Sequence, residues 1–171
     1  MAKKKLKGIK RIDKIVNRYL KEKFGIKAYL GVDFSAFLDR REIEYSVFTA
    51  GMGDKFFNKF VTGLAPNIKA DIFLTSLFHE VGHIYTQYNL SESEWDYGWD
   101  EKADIENILN DQSIDEKVIE EQHMRYFNLP EEIAATRWAI TYMEKYADDV
   151  AEFWNELQPA ILRFFRKNGV K

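Results

Sequence analysis

The sequence predicts an α+β fold that is mostly helical, with a small β-sheet near the N-terminal half. Three observations predict it. Apolar residues recur at helical spacing from Gly8 to Phe24 and again through most of the chain after Asn67. Between those parts, "KAYLGVDF" and "REIEYSVFTAG" alternate β-branched and aromatic residues with polar ones, at the two-residue period of strands. Gly25, Gly31, Gly51, Gly53 and Gly63 punctuate that region, so long helices are not expected there.

The elements follow in order. Gly8 to Phe24 carries Ile9, Ile12, Ile15, Val16, Tyr19 and Leu20 on one stripe, and Gly25 ends it. Two strands joined by a charged turn come next. Asp54 to Val61 reads as a short helix ending near Gly63, and Pro66 and Asn67 introduce a strongly helical segment to Tyr88. "SESEWDYGWD" is expected to interrupt the helices, which resume at Glu101 to Asn110, Asp115 to Phe127 and Pro130 to Tyr146. A helix from Asp148 to Leu157 and a separate proline-initiated turn from Pro159 to Lys167 complete the chain.

With 171 residues and 46% hydrophobic content, residues 1–171 are expected to form one domain with a real core. The absence of cysteine excludes disulfides and thiolate metal sites, so any metal must be held by nitrogen and oxygen. No run of apolar residues is long enough to span a membrane and no secretory signal is evident, so no membrane partner and a cytoplasmic location are expected. The net charge of -3 is unevenly spread: residues 1–23 carry ten Lys or Arg against Asp13 and Glu22. With its apolar stripe, this basic end (residues 1–24) is expected to be a solvated helix face rather than a phosphate- or lipid-attracting arm, and no nucleic-acid partner is expected. Residues 91–121 carry twelve acidic side chains against Lys102 and Lys117, and are expected to be an acidic insertion forming a mobile or partner-facing cover over the cleft.

The chemistry is concentrated in "FHEVGHIY", Phe78 to Tyr85, which holds two of the three histidines in the chain. On a helix His79 and His83 lie about 40° apart, one turn above the other, so both imidazoles can reach a single Zn²⁺. Glu80, at the edge of that face, can reach a water without ligating the ion; this is the HExxH arrangement. Ile72, Thr75, Ser76 and Thr86 share the histidine face, and Leu74, Leu77, Val81, Ile84 and Tyr88 are expected to bury the opposite one. A catalytic zinc takes three protein ligands and keeps one position open. The third ligand could be His123 or one of many carboxylates. Glu132 is a candidate because Pro130 starts a helix on which Glu132, Ala135, Ala139 and Tyr142 share a face, with alanines that permit close helix approach.

"SLFHEVGH" together with Glu132, Ala135, Thr136, Trp138 and Ala139 resembles the ImmA/IrrE-type metallopeptidases of bacteria, phages and mobile elements. In that family a HE-[aliphatic]-GH helix is followed by a later helix of the form E-x-x-A-[NT]-x-[FW]-A. The resemblance implies a zincin-like metallopeptidase domain, with His79, His83 and Glu132 as zinc ligands, Glu80 as general base, and a protein or peptide substrate such as a repressor. This chain departs from the pattern in its longer gap between the motifs and in "ITYMEKY", where the family has a Leu-Leu-Met-Pro-like ending. No helix-turn-helix domain of the kind fused to some relatives is seen.

Hydrolysis also needs a donor for the oxyanion, for which His123, Tyr142, Tyr85 and Arg137 are candidates, and "EYSVFTAG" could pair with an extended substrate. Two other classes compete. Glu80-Val81-Gly82-His83 and Glu120-Glu121-Gln122-His123 are both E-x-x-H, the paired motif of di-iron carboxylate bundles, although that leaves His79 unexplained. A non-proteolytic zinc-containing binding module would carry the same motif.

Overall fold

Helix is the default because apolar residues at three- and four-residue spacing dominate the chain, and 76% of the described residues are helical. The computed structural model describes residues 8–47, 52–66 (side chains from 55), 71–110 and 114–169. The expected basic residues 1–7, the end of the second expected strand at 48–51 and the first residues of the motif helix at 67–70 lie outside them. The chain divides into two compact units, Met1–Val47 with Met143–Lys171, and Phe48–Tyr142.

The first unit contains the sheet. Helix α1 (Ile9–Phe24) buries Ile12, Ile15, Val16, Tyr19, Leu20 and Phe24, the stripe its periodicity dictates. Gly25 ends it with φ 65°, a left-handed conformation that costs glycine nothing, and its N–H caps the Lys21 carbonyl at 3.1 Å. The strands β1 (Lys27–Leu30), β2 (Ser35–Phe37) and β3 (Glu42–Tyr45) lie in the order β1-β3-β2. β1 runs parallel to β3, pairing Ala28 with Ile43, and β2 is antiparallel to it, pairing Ser35 with Glu44. Helix α7 (Ala147–Asn168) faces α1 with Val150, Phe153, Leu157, Ala160, Ile161 and Phe164 buried. Tyr19 and Phe153 stack at 4.1 Å between ring centroids. Each large side chain buried this way contributes roughly 1.5–3 kcal/mol.

The second unit is helical throughout its described residues: α2 (Met52–Leu64), α3 (Ile72–Thr86) with a 3-10 turn at Gln87–Asn89, α4 (Glu92–Leu109), α5 (Glu116–Phe127) and the greater part of α6 (Pro130–Lys145). Phe56, Phe57, Phe60 and Val61 of α2 form one cluster with Phe127 and Ile140.

Four expectations change. The charged turn between two strands contains a third strand, β2, three residues long and too short for an alternation to register. β3 is the central strand, so Glu44, the first residue of "EYSVFTAG", already has a strand on both sides and cannot pair with a substrate, while residues 48–51 of that stretch lie outside the described residues. "SESEWDYGWD" does not interrupt the helices but opens α4. Ser91 and Glu94 form a reciprocal capping box, and Glu92 and Glu94 sit in the first turn, where the helix dipole favours negative charge. Gly98 and Ile105 of α4 are buried, and α4 packs on α5, so this stretch is ordered helix within the unit, with Tyr97 and Trp99 exposed. Pro159 lies inside the continuous helix α7, and Asn155, whose carbonyl loses its partner there, faces water.

Candidate metal centre

The site is built where α3 crosses α6. Asp71 caps α3 by accepting from the Phe73 N–H at 2.9 Å, which fixes the start of the helix that carries the histidines. At the crossing, a Cβ on Gly82 would lie 2.4 Å from the Ala135 carbonyl oxygen and 2.9 Å from its Cα. Only glycine permits that approach. Because Glu132 and Thr136 sit one turn apart on α6, on either side of Ala135, the close crossing presents both to the histidines. α3 is buried on nearly all faces, including Thr75, Ser76, His79 and Glu80 on the histidine face, whereas Tyr88, expected on the buried face, is exposed just beyond it.

His79 Nε2 lies 3.1 Å from Glu132 Oε2 and 3.0 Å from His83 Nε2, and His83 Nε2 lies 3.5 Å from Glu132 Oε2. Around an ion with ligand distances of about 2.0–2.1 Å, tetrahedral donor atoms stand about 3.3–3.4 Å apart. The three atoms are therefore spaced as ligands of one small cation and form a group that could hold a metal ion. Thr136, fully buried, lies 2.9 Å from His79 Nδ1 through its hydroxyl. With the Nδ1–H donating to that hydroxyl, the Nε2 lone pair turns toward Glu132 and His83. The Phe57 ring meets His79 edge to face at 5.0 Å and limits its rotation.

Charge points the same way. Glu80, Glu131 and Glu132 are all buried, and Lys102 reaches Glu132 Oε1 at 2.9 Å and Glu131 Oε1 at 3.1 Å. Counted as ionised, three carboxylates face one ammonium, and a divalent ion balances the remainder when both imidazoles are neutral. Burial by itself would raise the Glu132 carboxyl, but the bonds from His79 and His83 outweigh it and hold it well below the usual carboxylate range. Burial works against a charge on His83, yet the bond to Glu132 and the charges of Glu132 and Glu80 raise its pKa overall. The Lys102 ammonium is destabilised by burial and more than compensated by Glu132 and Glu131, so its pKa rises.

Three of the four side chains expected as possible oxyanion donors make other contacts, and the fourth is exposed. His123 bonds the Ile119 carbonyl through Nδ1 at 2.8 Å and lies on the Phe56 ring. Tyr85 and Tyr142 each stack on Trp138, and Arg137 is exposed. Among the described residues, His123 and Glu120 are not part of the metal-ligating group, and Glu120 is paired with Lys59. The residues that sequence reading missed are Tyr126, Lys102 and Glu131 as site members. The Tyr126 hydroxyl bonds Glu132, and burial and the carboxylates of Glu132, Glu80 and Glu131 raise its pKa, so it stays protonated. No sequence spacing ties Tyr126 to the HExxH helix; for Lys102 the signal was a cation one helical turn after Gly98, one of two in an acidic stretch.

Comparison with protein-family models, curated proteins and solved structures gives no match to this chain. Functional assignment therefore rests on the geometry of the site and on the motif.

Proposed function

We propose that the chain is a zinc-dependent peptidase that hydrolyses a peptide bond in a protein substrate. The observation that carries this reading is the convergence of His79, His83 and Glu132 donor atoms within 3.0–3.5 Å of one another, with Glu80 directly beside His79 on the same helix. The all-nitrogen-and-oxygen donor set of two imidazoles and one carboxylate is the type used by catalytic zinc, and the motif's likeness to ImmA/IrrE-type peptidases supports the same metal. Bound there, zinc supplies Lewis acidity, acidifying water and polarising a carbonyl.

The chain's own residues have separable parts in this. Thr136 fixes the orientation of His79, and the α3–α6 crossing brings Glu132 to the two imidazoles. Glu80 accepts a proton from the attacking water and returns it to the leaving amine. Its charge raises the pKa of both His83 and Tyr126, which supports a Glu80 that acts beside the group without belonging to the three-atom set. The substrate class extends, by the same likeness, to a regulatory protein such as a repressor.

Elemental analysis of the purified protein with a peptide-cleavage assay tests the reading. One zinc per chain is expected, lost in His79→Ala, His83→Ala and Glu132→Ala. Glu80→Gln should keep the zinc and lose hydrolysis. Normal zinc in Glu132→Ala would sink the ligand assignment. Full zinc with no hydrolysis of any protein or peptide offered would favour a binding module.

A further inference from the structure

The second half of the acidic stretch meets the site at one face of α4. Gly98 and Lys102 are one turn apart and both meet Glu131. A Cβ on Gly98 would lie 2.6 Å from Glu131 Oε1 and 2.7 Å from Oε2, so the carboxylate rests directly on the glycine backbone. Lys102 then bridges Glu131 Oε1 and Glu132 Oε1, while its ammonium sits 5.1 Å from the Tyr126 ring centroid. Glu131 is 3% exposed, and its Oε2 has no hydrogen-bond partner among the described residues. A buried carboxylate so poorly satisfied is costly, and among the described residues its ionic partner is the lysine that also holds Glu132.

We propose that Lys102 is a positioning residue for the metal. Together with Glu131 it ties down Glu132 Oε1, so that Glu132 offers a single oxygen, Oε2, to the ion. The inference rests on the reading of His79, His83 and Glu132 as ligands. Without the ammonium, Oε1 is free to swing toward the ion, and the carboxylate becomes a two-oxygen ligand or loses its orientation. Glu131 serves as the second anchor that holds Lys102 in place, and Gly98 is the residue whose missing side chain lets α4 close over it. Coulomb repulsion makes the opposite forecast for affinity, since removing a nearby positive charge should tighten cation binding. The two accounts therefore differ in sign.

The test uses the full chain loaded with Co²⁺, whose visible d–d bands are strong when four-coordinate and weaken at higher coordination number, together with Zn²⁺ affinity by competition titration. Lys102→Met is expected to weaken the Co²⁺ bands and to lower Zn²⁺ affinity on the order of ten- to a hundredfold, with Lys102→Arg restoring both. Gly98→Ala, which leaves Lys102 in place but displaces Glu131, should move the bands in the same direction and serves if Lys102→Met does not fold. Wild-type bands and unchanged or tighter zinc binding in Lys102→Met, or unaltered bands in Gly98→Ala, would overturn the proposal while leaving the metal reading intact. A wild-type chain that binds neither ion would overturn both.

Discussion

Thr136 is the residue whose role is most easily mistaken for packing, because it is fully buried on a helix and directly follows Ala134 and Ala135. Its hydroxyl nevertheless lies 2.9 Å from His79 Nδ1. Valine has nearly the same shape and no acceptor, so Thr136→Val leaves a buried imidazole N–H unsatisfied, a cost of about 1–3 kcal/mol. It also frees the tautomer that aims Nε2 at the ion. Thr136→Val is expected to lower zinc affinity by about ten- to a hundredfold, and Thr136→Ser to retain most of it, both read by competition with a chromophoric chelator. If Thr136→Val binds as tightly as the wild type, the hydroxyl is a packing group and the tautomer is set elsewhere. The same reasoning separates Glu80 from the ligands, since a carboxylate that only moves protons can become an amide without loss of the ion.

At the scale of elements, the α3–α6 crossing decides whether the site exists, and it turns on Gly82. An ordinary van der Waals contact begins at 3.4 Å, against the 2.4 Å that a Cβ would make with the Ala135 carbonyl, so Gly82→Ala must push the helices apart by about 1 Å. Overpacking of this kind costs about 1–3 kcal/mol. Urea unfolding should register that loss, and metal titration should register a further weakening, because Glu132 moves with α6. Retained stability and affinity in Gly82→Ala would mean that the crossing is more yielding than its geometry implies. Much of this was legible in the sequence: the histidine spacing, the small residues of α6 and the stripe of α1 are periodic signals, and helices report themselves through period. The rest was not legible for particular reasons. Residues 91–100 are polar and acidic, which suits a helix N-terminus as well as a loop, and the capping pair Ser91 and Glu94 was the sign that separates them. Pro159 reads equally as a helix start or a tolerated interior residue until the exposure of Asn155 is known. Lys102 and Tyr126 reach the site through tertiary contacts from α4 and α5, for which no local pattern exists.

For the whole molecule, the site couples stability to metal and to pH in opposite directions. Glu132 has its carboxyl lowered below the ordinary 4.5, so its contribution to stability is present above that pH and fades as acid protonates it in the fold. His83 has its pKa raised above the ordinary 6.5, so its contribution in the metal-free chain is complete below 6.5 and is lost as pH rises through the raised value. The metal-free pair therefore stabilises most between 4.5 and 6.5 and less at higher pH. A metal ligand must be unprotonated, so the proton that steadies the metal-free fold competes with the ion, and affinity rises over the same range in which that stability is lost. An ion bound only by the folded chain, present at a hundred times its Kd, adds about 2.7 kcal/mol, or roughly 5–10 °C in Tm for a chain of this length. The Tm increment from added zinc should thus be small near pH 5.5 and grow steadily toward pH 8. Chelation should destabilise the protein more at the higher pH. Paired thermal melts with and without zinc across that range check it; an increment that is constant or falls with pH would mean that His83 does not exchange its proton for the ion.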